Sequence, residues 1–224
     1  MPGEVARHKI NFAFRYLKFA AYNAKICGEI EEEHGKSKTL KLYFNEGLKD
    51  KLASHCISCL WFCNSSLESY ISEVFQSRMR CFSEVPQNYF EIIYGAMERK
   101  NVIEKLDSLL KIKDKAIDAS REPWQSLKLM IDVRNSLIHF NPEWSDDNGE
   151  HKRLVKRLDS FKLKPKFYQN PGIDSWYPLD YFGYKFSEWA VQVTMNVYAS
   201  LEVDIKYFGD DYAYLKQQVT ALMK

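Results

Sequence analysis

The stretch EGLKDKLASHCISCLWFCNSSLESYISEVFQSRMR, residues 46–80, decides the fold class. Its apolar residues recur at steps of three and four with no proline between them, which is the spacing of one face of an α-helix. They are Leu52, Cys56, Cys59, Leu60, Cys63, Leu67, Tyr70, Ile71 and Val74. The pattern predicts one long helix with a continuous buried stripe.

Helical patterns also flank this stretch on both sides. Residues 4–27 predict a helix that ends near Gly28 and is followed by an acidic, polar connector. TLKLYF, residues 39–44, alternates like a short strand, but it has no evident partner strand, so we assign it to the connector. The other expected helices cover 87–98, 101–119, about 123–140 and about 186–208, after which a polar tail ends the chain.

These patterns predict an all-α protein with a single domain over residues 1–224. We expect an antiparallel bundle of four to five main helices. Residues 143–182 are rich in proline and glycine and form an expected insertion, basic in its first half and aromatic in its second. The net charge of +2 is nearly balanced, so affinity for nucleic acid requires a local concentration of positive charge.

The N-terminal segment and the cysteines indicate the compartment. MPGEVARHKINFAF lacks the apolar core of a signal peptide, and no window reaches the roughly 18 apolar residues of a membrane span. The odd number of cysteines, five, argues against a secreted disulfide framework. HCISCLWFC could bind a metal, but its helical spacing and the lack of a second cysteine pair favour core packing. We therefore expect a cytoplasmic protein with no metal, no cofactor and no membrane association.

A second stretch, LKLMIDVRNSLIHFNPEW, residues 127–144, carries a charge where a core residue is expected. On a helical wheel, Arg134 falls in the middle of an apolar stripe, so most of the helix circumference should be covered by protein. The stripe consists of Leu127, Ile131 and Ile138, with Met130 and Leu137 alongside. A narrow polar strip, expected to line a groove or an interface, is formed by Lys128, Asp132, Asn135 and His139.

Arg134 and His139 each have a structural interpretation. An unpaired buried guanidinium is costly, so Arg134 could form a buried salt bridge, with Glu68 or Glu73 of SSLESYISEVF as candidate partners, or reach the surface. His139, in the last helical turn, could simply interact with the helix dipole, or form a hydrogen bond with Asn135 four residues earlier. The residues alone leave these interpretations open beside a functional one.

The order arginine, asparagine, three residues, histidine at the end of a helix resembles the signature of the HEPN superfamily. Here it stands as RNSLIH, from Arg134 to His139. SSLESYISEVF on the earlier long helix is also similar to a stretch of HEPN members related to the RiboL-PSP group. The resemblance covers about residues 4–140 and 183–208 and leaves the insertion unaccounted for.

HEPN proteins are small and α-helical, and many are metal-independent ribonucleases. The resemblance therefore implies a homodimeric endoribonuclease, a toxin or anti-phage defence effector, with Arg134, Asn135 and His139 catalytic. RNA cleavage by the 2′-hydroxyl needs one proton removed and another delivered, which suits histidine, and an arginine fork can hold phosphoryl oxygens. Asn135 would orient the phosphate or the imidazole. Because one histidine cannot readily be both acid and base, we expect helices 123–140 of two protomers to pair across a twofold axis.

One departure from the family concerns regulation. Toxins of the pairs formed by HEPN proteins and minimal nucleotidyltransferases typically carry a tyrosine two positions after the histidine, which the partner modifies with AMP. This chain has Asn141 there. An intrinsic, triggered or differently inhibited nuclease is therefore favoured, and the identity of an antitoxin or regulatory partner stays open.

The insertion offers two candidate RNA-binding features. The first is HKRLVKRLDSFKLKPKF, residues 151–167, which holds seven Lys or Arg against one Asp. This basic stretch is either a phosphate-binding surface or an ordinary solvated helix face. The first interpretation assigns RNA contacts to Lys128, Lys152, Arg153, Lys156, Arg157, Lys162 and Lys164. The aromatic residues of 167–186 could stack unpaired bases, although packing onto the bundle or the dimer is favoured.

The competing hypothesis is a non-catalytic module of the same helical kind. In it, Arg134 and His139 are structural, and the protein binds a nucleotide, an RNA or a partner protein. The sequence contains no glycine-rich phosphate loop, no GxSxG and no HExxH that would indicate another enzyme class.

Overall fold

The computed structural model describes residues 12–36, 46–77, 82–140, 149–165 and 177–224. Within these ranges the chain forms eight α-helices and no strand, which confirms the all-α class. The helices are α1 (Ala13–Lys36), α2 (Glu46–Gln76), α3 (Gln87–Met97), α4 (Val102–Lys111), α5 (Trp124–Ile138), α6 (Glu150–Asp159), α7 (Tyr184–Asp204) and α8 (Asp211–Leu222). A short 3₁₀ helix covers Leu179–Tyr181. The strand-like residues 39–44 lie outside the described ranges.

Helices α1 and α2 form an antiparallel pair at the centre of the molecule. Ser66, late in α2, donates to the carbonyl oxygen of Ala13 at 2.7 Å, at the start of α1. Earlier in α2, the Sγ of Cys56 lies 3.5 Å from that of Cys27, late in α1. All nine residues of the predicted α2 stripe are buried, none more than 3% exposed. The prediction of a long core helix is confirmed.

Helix α7 completes the core and runs in the same direction as α2. The Sγ of Cys59 donates to the carbonyl oxygen of Ser187 at 3.5 Å, and Ser66 pairs with the hydroxyl of Tyr198 at 2.6 Å. Ser66 therefore joins all three central helices through one buried hydroxyl. Such satisfied polar groups fix the relative positions of helices without leaving a donor unpaired.

Helix α1 continues past its predicted end at Gly28. A Cβ at Gly28 would lie 3.1 Å from the ring of Tyr184, so this glycine permits close packing against α7 instead of ending the helix. One turn later, the Glu31 carboxylate accepts a hydrogen bond from the Tyr184 N–H at 2.5 Å, and burial raises the pKa of this carboxyl. The acidic residues assigned to a connector are helical because one face of them packs on α7.

Helix α4 is shorter than predicted. It ends at Lys111, and Asp114 adopts the left-handed conformation with φ of 56°. The Asp107 carboxylate accepts a hydrogen bond from the Ile117 N–H at 2.9 Å and so stabilises the returning chain. This local turn, which the apolar spacing does not reveal, ends the helix before residue 119.

The polar tail expected at the end of the chain is helix α8. Leu215 and Val219 are buried at 0% and 2% exposure, and α8 packs against α1. These two residues are one helical turn apart, which is enough for a mostly polar helix to dock on the bundle. The sequence patterns assigned no helix to this polar tail, and the structure adds one.

Helices α5 and α6 lie beside this core. Helix α5 packs against α7 and α2. Helix α6, in the first half of the expected insertion, packs against α5, and its Leu154 and Leu158 are buried. The observed bounds of α5 agree with the predicted range of 123–140. In the described part of the chain, the helices are too short or too polar to cross a membrane.

Candidate active site

The C-terminal turns of α5 leave the protein core. The buried residues of α5 are Trp124, Ser126, Leu127, Leu129, Met130, Val133 and Ser136. Of the stripe expected from the wheel, Leu127 is fully buried, whereas Ile138 is 40% exposed. Arg134 therefore lies where this flank of the helix passes from the core to solvent, and the expectation that protein covers most of the helix fails for its last turn.

Arg134 is half-buried and has no carboxylate partner among the described residues. Its Nη1 donates to Oδ1 of the neighbouring Asn135 at 3.0 Å. Its Nε is buried and has no hydrogen-bond partner within the described ranges. A buried donor left unsatisfied costs about 1–3 kcal/mol, so the described part of the fold leaves part of the hydrogen-bonding capacity of this guanidinium unused.

The predicted pairing of Arg134 with Glu68 or Glu73 is wrong. Glu73 is only 6% exposed, and its carboxylate accepts hydrogen bonds from the N–H groups of Phe12 at 2.8 Å and Ala13 at 3.0 Å. It also accepts from the hydroxyl of Tyr207 at 3.2 Å. Glu73 thus supplies the N-terminal cap of α1, where a negative charge also complements the helix dipole. Glu68 is exposed.

His139 ends helix α5. Its N–H donates to the carbonyl oxygen of Asn135 at 3.0 Å, while its side chain is exposed and forms no hydrogen bond to the residues that the structure describes. The Asn135 side chain is directed to Arg134 and does not hydrogen-bond to the imidazole. Asn135 therefore orients the arginine, and His139 stays accessible from solvent.

Helix α6 runs antiparallel to α5 along this end. Nη1 of Arg157, late in α6, lies 2.6 Å from Oδ2 of Asp132, in the middle of α5. At the other end, the rings of His151 and Phe140 stack with centroids 5.1 Å apart. The polar strip of α5 therefore borders α6, and the asparagine and histidine of the motif lie between these two contacts along the helix.

The structure separates the candidate RNA-binding cations into two groups. The first group is already paired: Arg157 forms an ion pair with Asp132, and Nζ of Lys164 lies 3.3 Å from Oδ1 of Asp159 and 5.0 Å from the centroid of the Tyr181 ring. The others are exposed and form no ion pair within the described ranges: Lys128, Lys152, Arg153, Lys156 and Lys162. Three of these, Lys152, Arg153 and Lys156, belong to α6, the helix that packs against the motif helix α5.

An aromatic cluster next to the motif was missed by the sequence analysis. His151 contacts Phe140 and also Tyr177, with centroids 4.9 Å apart in the second pair. The hydroxyl of Tyr177 hydrogen-bonds to Ser136, and burial raises the pKa of Tyr177 to about 12. The spacing of Leu154 and Leu158 indicates that α6 packs somewhere, but it does not indicate which helix it meets.

The other aromatic residues of the insertion that are described belong to the core. Tyr181, Phe182 and Phe186 are each at most 2% exposed, which confirms the packing interpretation for them. The aromatic residues between 167 and 176 lie outside the described ranges.

The cysteines on α1 and α2 are free and fully buried, as core packing predicts. Burial raises the pKa of the Cys56 and Cys59 thiols well above the usual value. Across the described ranges, no three His, Cys, Asp or Glu side chains form a group that could hold a metal ion.

No family model, curated protein or solved structure matches this chain. The resemblance to HEPN proteins therefore depends on RNSLIH and on the similar stretch of α2. Asn141, which distinguishes the chain from AMP-modified toxins, lies outside the described residues.

The chemistry available at the end of α5 follows from these side chains. A guanidinium held by an amide can bind two oxygens of a phosphodiester, since planar bidentate recognition of phosphate is the particular strength of arginine. An exposed imidazole five residues later in the chain is a side chain of the type that exchanges protons near neutral pH. The exposed cations of α6 add attraction for a polyanion.

Proposed function

We propose that this protein is a metal-independent endoribonuclease of HEPN type that acts as a homodimer. The observation that carries the proposal is the state of Arg134, a half-buried guanidinium oriented by Asn135 and neutralised by no carboxylate in the described part of the chain. A phosphodiester of RNA would accept hydrogen bonds from the Nη groups and supply the negative charge that the described residues do not place beside this guanidinium.

Each residue of the motif has a distinct role in this proposal. The 2′-hydroxyl loses its proton to an imidazole and attacks the phosphorus, the bond to the 5′-oxygen breaks, and that oxygen receives a proton. Arg134 stabilises the negative charge that develops on the phosphoryl oxygens. His139 transfers a proton, and Asn135 holds Arg134 in position. The products are a 2′,3′-cyclic phosphate and a free 5′-hydroxyl.

The dimer is supported by the surface around Arg134. Ile138 is 40% exposed, and Ile131 and Leu137 on the same side of α5 are only partly buried. A second protomer packed on this surface would cover these apolar side chains and bring a second His139 to the cleft. The two histidines would then share the acid and base roles, as a twofold arrangement allows.

Loss of either motif residue tests the proposal. We expect His139→Ala to reduce cleavage of RNA in EDTA by about 10²–10⁴-fold, the usual contribution of general acid–base catalysis. Arg134→Ala is expected to reduce it by at least about 10²-fold, because a charged transition-state contact is lost. The readout is the rate of cleavage of a labelled RNA by purified dimer.

Arg121→Ala is the matched control, since this arginine is exposed and paired with Asp118 at 3.1 Å, just before α5. It should retain the wild-type rate. Undiminished cleavage by His139→Ala or Arg134→Ala would refute the proposal. Intact RNA with the wild-type protein, purified without a bound inhibitor, would favour the non-catalytic module instead.

The dimer has its own test. Ile138→Glu introduces a charge at an exposed position, so the monomer should fold normally. We expect the variant to sediment as a monomer and to lose cleavage, because the second histidine is no longer supplied. An active monomeric variant would remove the dimer from the proposal while leaving the roles of Arg134 and His139 in place.

A further inference from the structure

A supported aromatic ring lies at the end of the proposed active site. Phe140 directly follows His139, and its ring is stacked on that of His151, with planes 20° apart. His151 in turn contacts the ring of Tyr177. The three side chains form a row that starts at the solvent and leads towards the core.

This row is anchored to α5 at both ends. Ser136 donates to the carbonyl oxygen of Val133 at 2.8 Å, so the hydroxyl of Tyr177 is the donor in the hydrogen bond to Ser136. Phe140 at the other end continues the α5 chain. The ring of Phe140 is supported by that of His151, which is supported in turn by Tyr177. A ring supported in this way loses little conformational freedom when a ligand binds to it, which favours binding.

The outer ring remains available to a ligand. Phe140 is 47% exposed although His151 covers part of it. Exposed apolar side chains are common and need no explanation singly. This one lies six residues after Arg134, and its ring contacts His151 of α6, which directly precedes the exposed Lys152 and Arg153 in the chain. The aromatic ring and the proposed phosphate-binding side chains thus occur together where α5 ends and α6 begins.

We propose that Phe140, supported by His151, is a stacking platform for an unpaired nucleobase adjacent to the cleaved phosphate. The inference rests on the proposed function and specifies the substrate as single-stranded RNA. A base in a duplex has both faces covered by its neighbours, whereas an unpaired base can stack on an exposed aromatic ring. The cations of α6 would bind the backbone on the same side.

The test measures binding without cleavage. All proteins carry His139→Ala, and the probe is a short single-stranded oligouridylate with one 2-aminopurine, whose fluorescence falls when the base stacks. Phe140→Ala is expected to weaken binding by about 5- to 150-fold and to abolish the quenching. Phe140→Tyr should retain both, because it keeps an aromatic face.

Phe161→Ala is the matched control. Phe161 is 36% exposed and also contacts a second ring, that of Trp189 at 5.6 Å, but it follows the far end of α6. Its replacement should leave affinity and quenching unchanged. Thermal unfolding of each variant establishes that the fold is intact, and a duplex RNA of the same length measures binding that needs no unpaired base.

The outcomes separate the platform from the proposed function. Unchanged affinity and quenching in Phe140→Ala, with RNA still bound, overturn the platform and leave the nuclease proposal standing. An equal loss of single-stranded and duplex binding also overturns it, because Phe140 would then act through the structure of the site. Absence of RNA binding in every protein, together with no cleavage by the wild type, refutes the proposed function itself.

Discussion

Glu73 and Arg134 are both charged side chains on apolar helix faces, and the fold treats them in opposite ways. Glu73 is almost fully buried and accepts hydrogen bonds from two backbone N–H groups and one hydroxyl. Arg134 lies at the edge of the core, hydrogen-bonds to its neighbour Asn135, and retains a buried Nε without a partner in the described structure. The carboxylate of Glu73 is satisfied by hydrogen bonds within the fold, whereas the guanidinium of Arg134 is only partly satisfied.

This contrast distinguishes a structural charge from a candidate functional one. A buried charge that stabilises the fold has its hydrogen-bonding capacity satisfied, as around Glu73. A charge that awaits a ligand keeps unsatisfied donors, at a cost in stability that natural proteins accept at functional sites. The stability of variants at the two positions should therefore differ in size and even in sign.

Glu73→Ala should produce the largest loss of stability. Two N–H groups at the start of α1 and the hydroxyl of Tyr207 would lose their acceptor, so we expect a decrease of about 3 kcal/mol or more in the free energy of unfolding. Urea denaturation measures it. Glu68→Ala, on the exposed side of the same helix, is the control and should stay within about 0.5 kcal/mol. Equal effects at the two positions would contradict the capping role.

Asp132→Asn should have an intermediate effect. The ion pair with Arg157 is partly exposed, and such pairs contribute about 0–1 kcal/mol to stability. The variant also releases Arg157 beside the motif, so RNA should bind more tightly, with a salt dependence steeper by up to about 0.7 in the logarithmic slope. Binding at several salt concentrations measures the slope. Unchanged affinity and slope in the variant would indicate that Arg157 and the α6 surface around it do not contact RNA.

Arg134→Met should have the smallest effect on stability. Methionine keeps an aliphatic side chain of similar length and removes the unsatisfied donor, so the free energy of unfolding should change by less than about 0.5 kcal/mol or rise. The same denaturation assay applies. A loss of about 2 kcal/mol or more would show that Arg134 is structural, as in the non-catalytic hypothesis.

The sequence predicted the parts of the fold that local periodicity determines. The apolar stripe of α2 is visible because residues three and four apart must share one face, and the bounds of α5 are visible because Pro123 and Pro142 flank it in the sequence. Gly28 was misread as a helix end because its reason for being glycine, the ring of Tyr184, lies 156 positions away in α7. Helix α8 was missed because two buried residues give too weak a pattern.

The candidate site was predictable only in its continuous part. Arg134, Asn135 and His139 are close together in the chain, so their order alone indicates a common site. The partner of Glu73 and the stacking of His151 on Phe140 depend on which helices meet, and periodicity carries no information about that. For the same reason, the sequence of residues 151–167 does not reveal that Asp132 of α5 neutralises Arg157.

The ends of the RNA products distinguish a ribonuclease site at the end of α5 from a purely structural feature. Purified wild-type protein and His139→Ala are incubated with total RNA in EDTA, and the 3′ ends are identified. We expect 2′,3′-cyclic phosphates with the wild type and none above background with His139→Ala. Intact RNA with the wild type, or the same cyclic ends at the same rate from both proteins, would contradict this expectation.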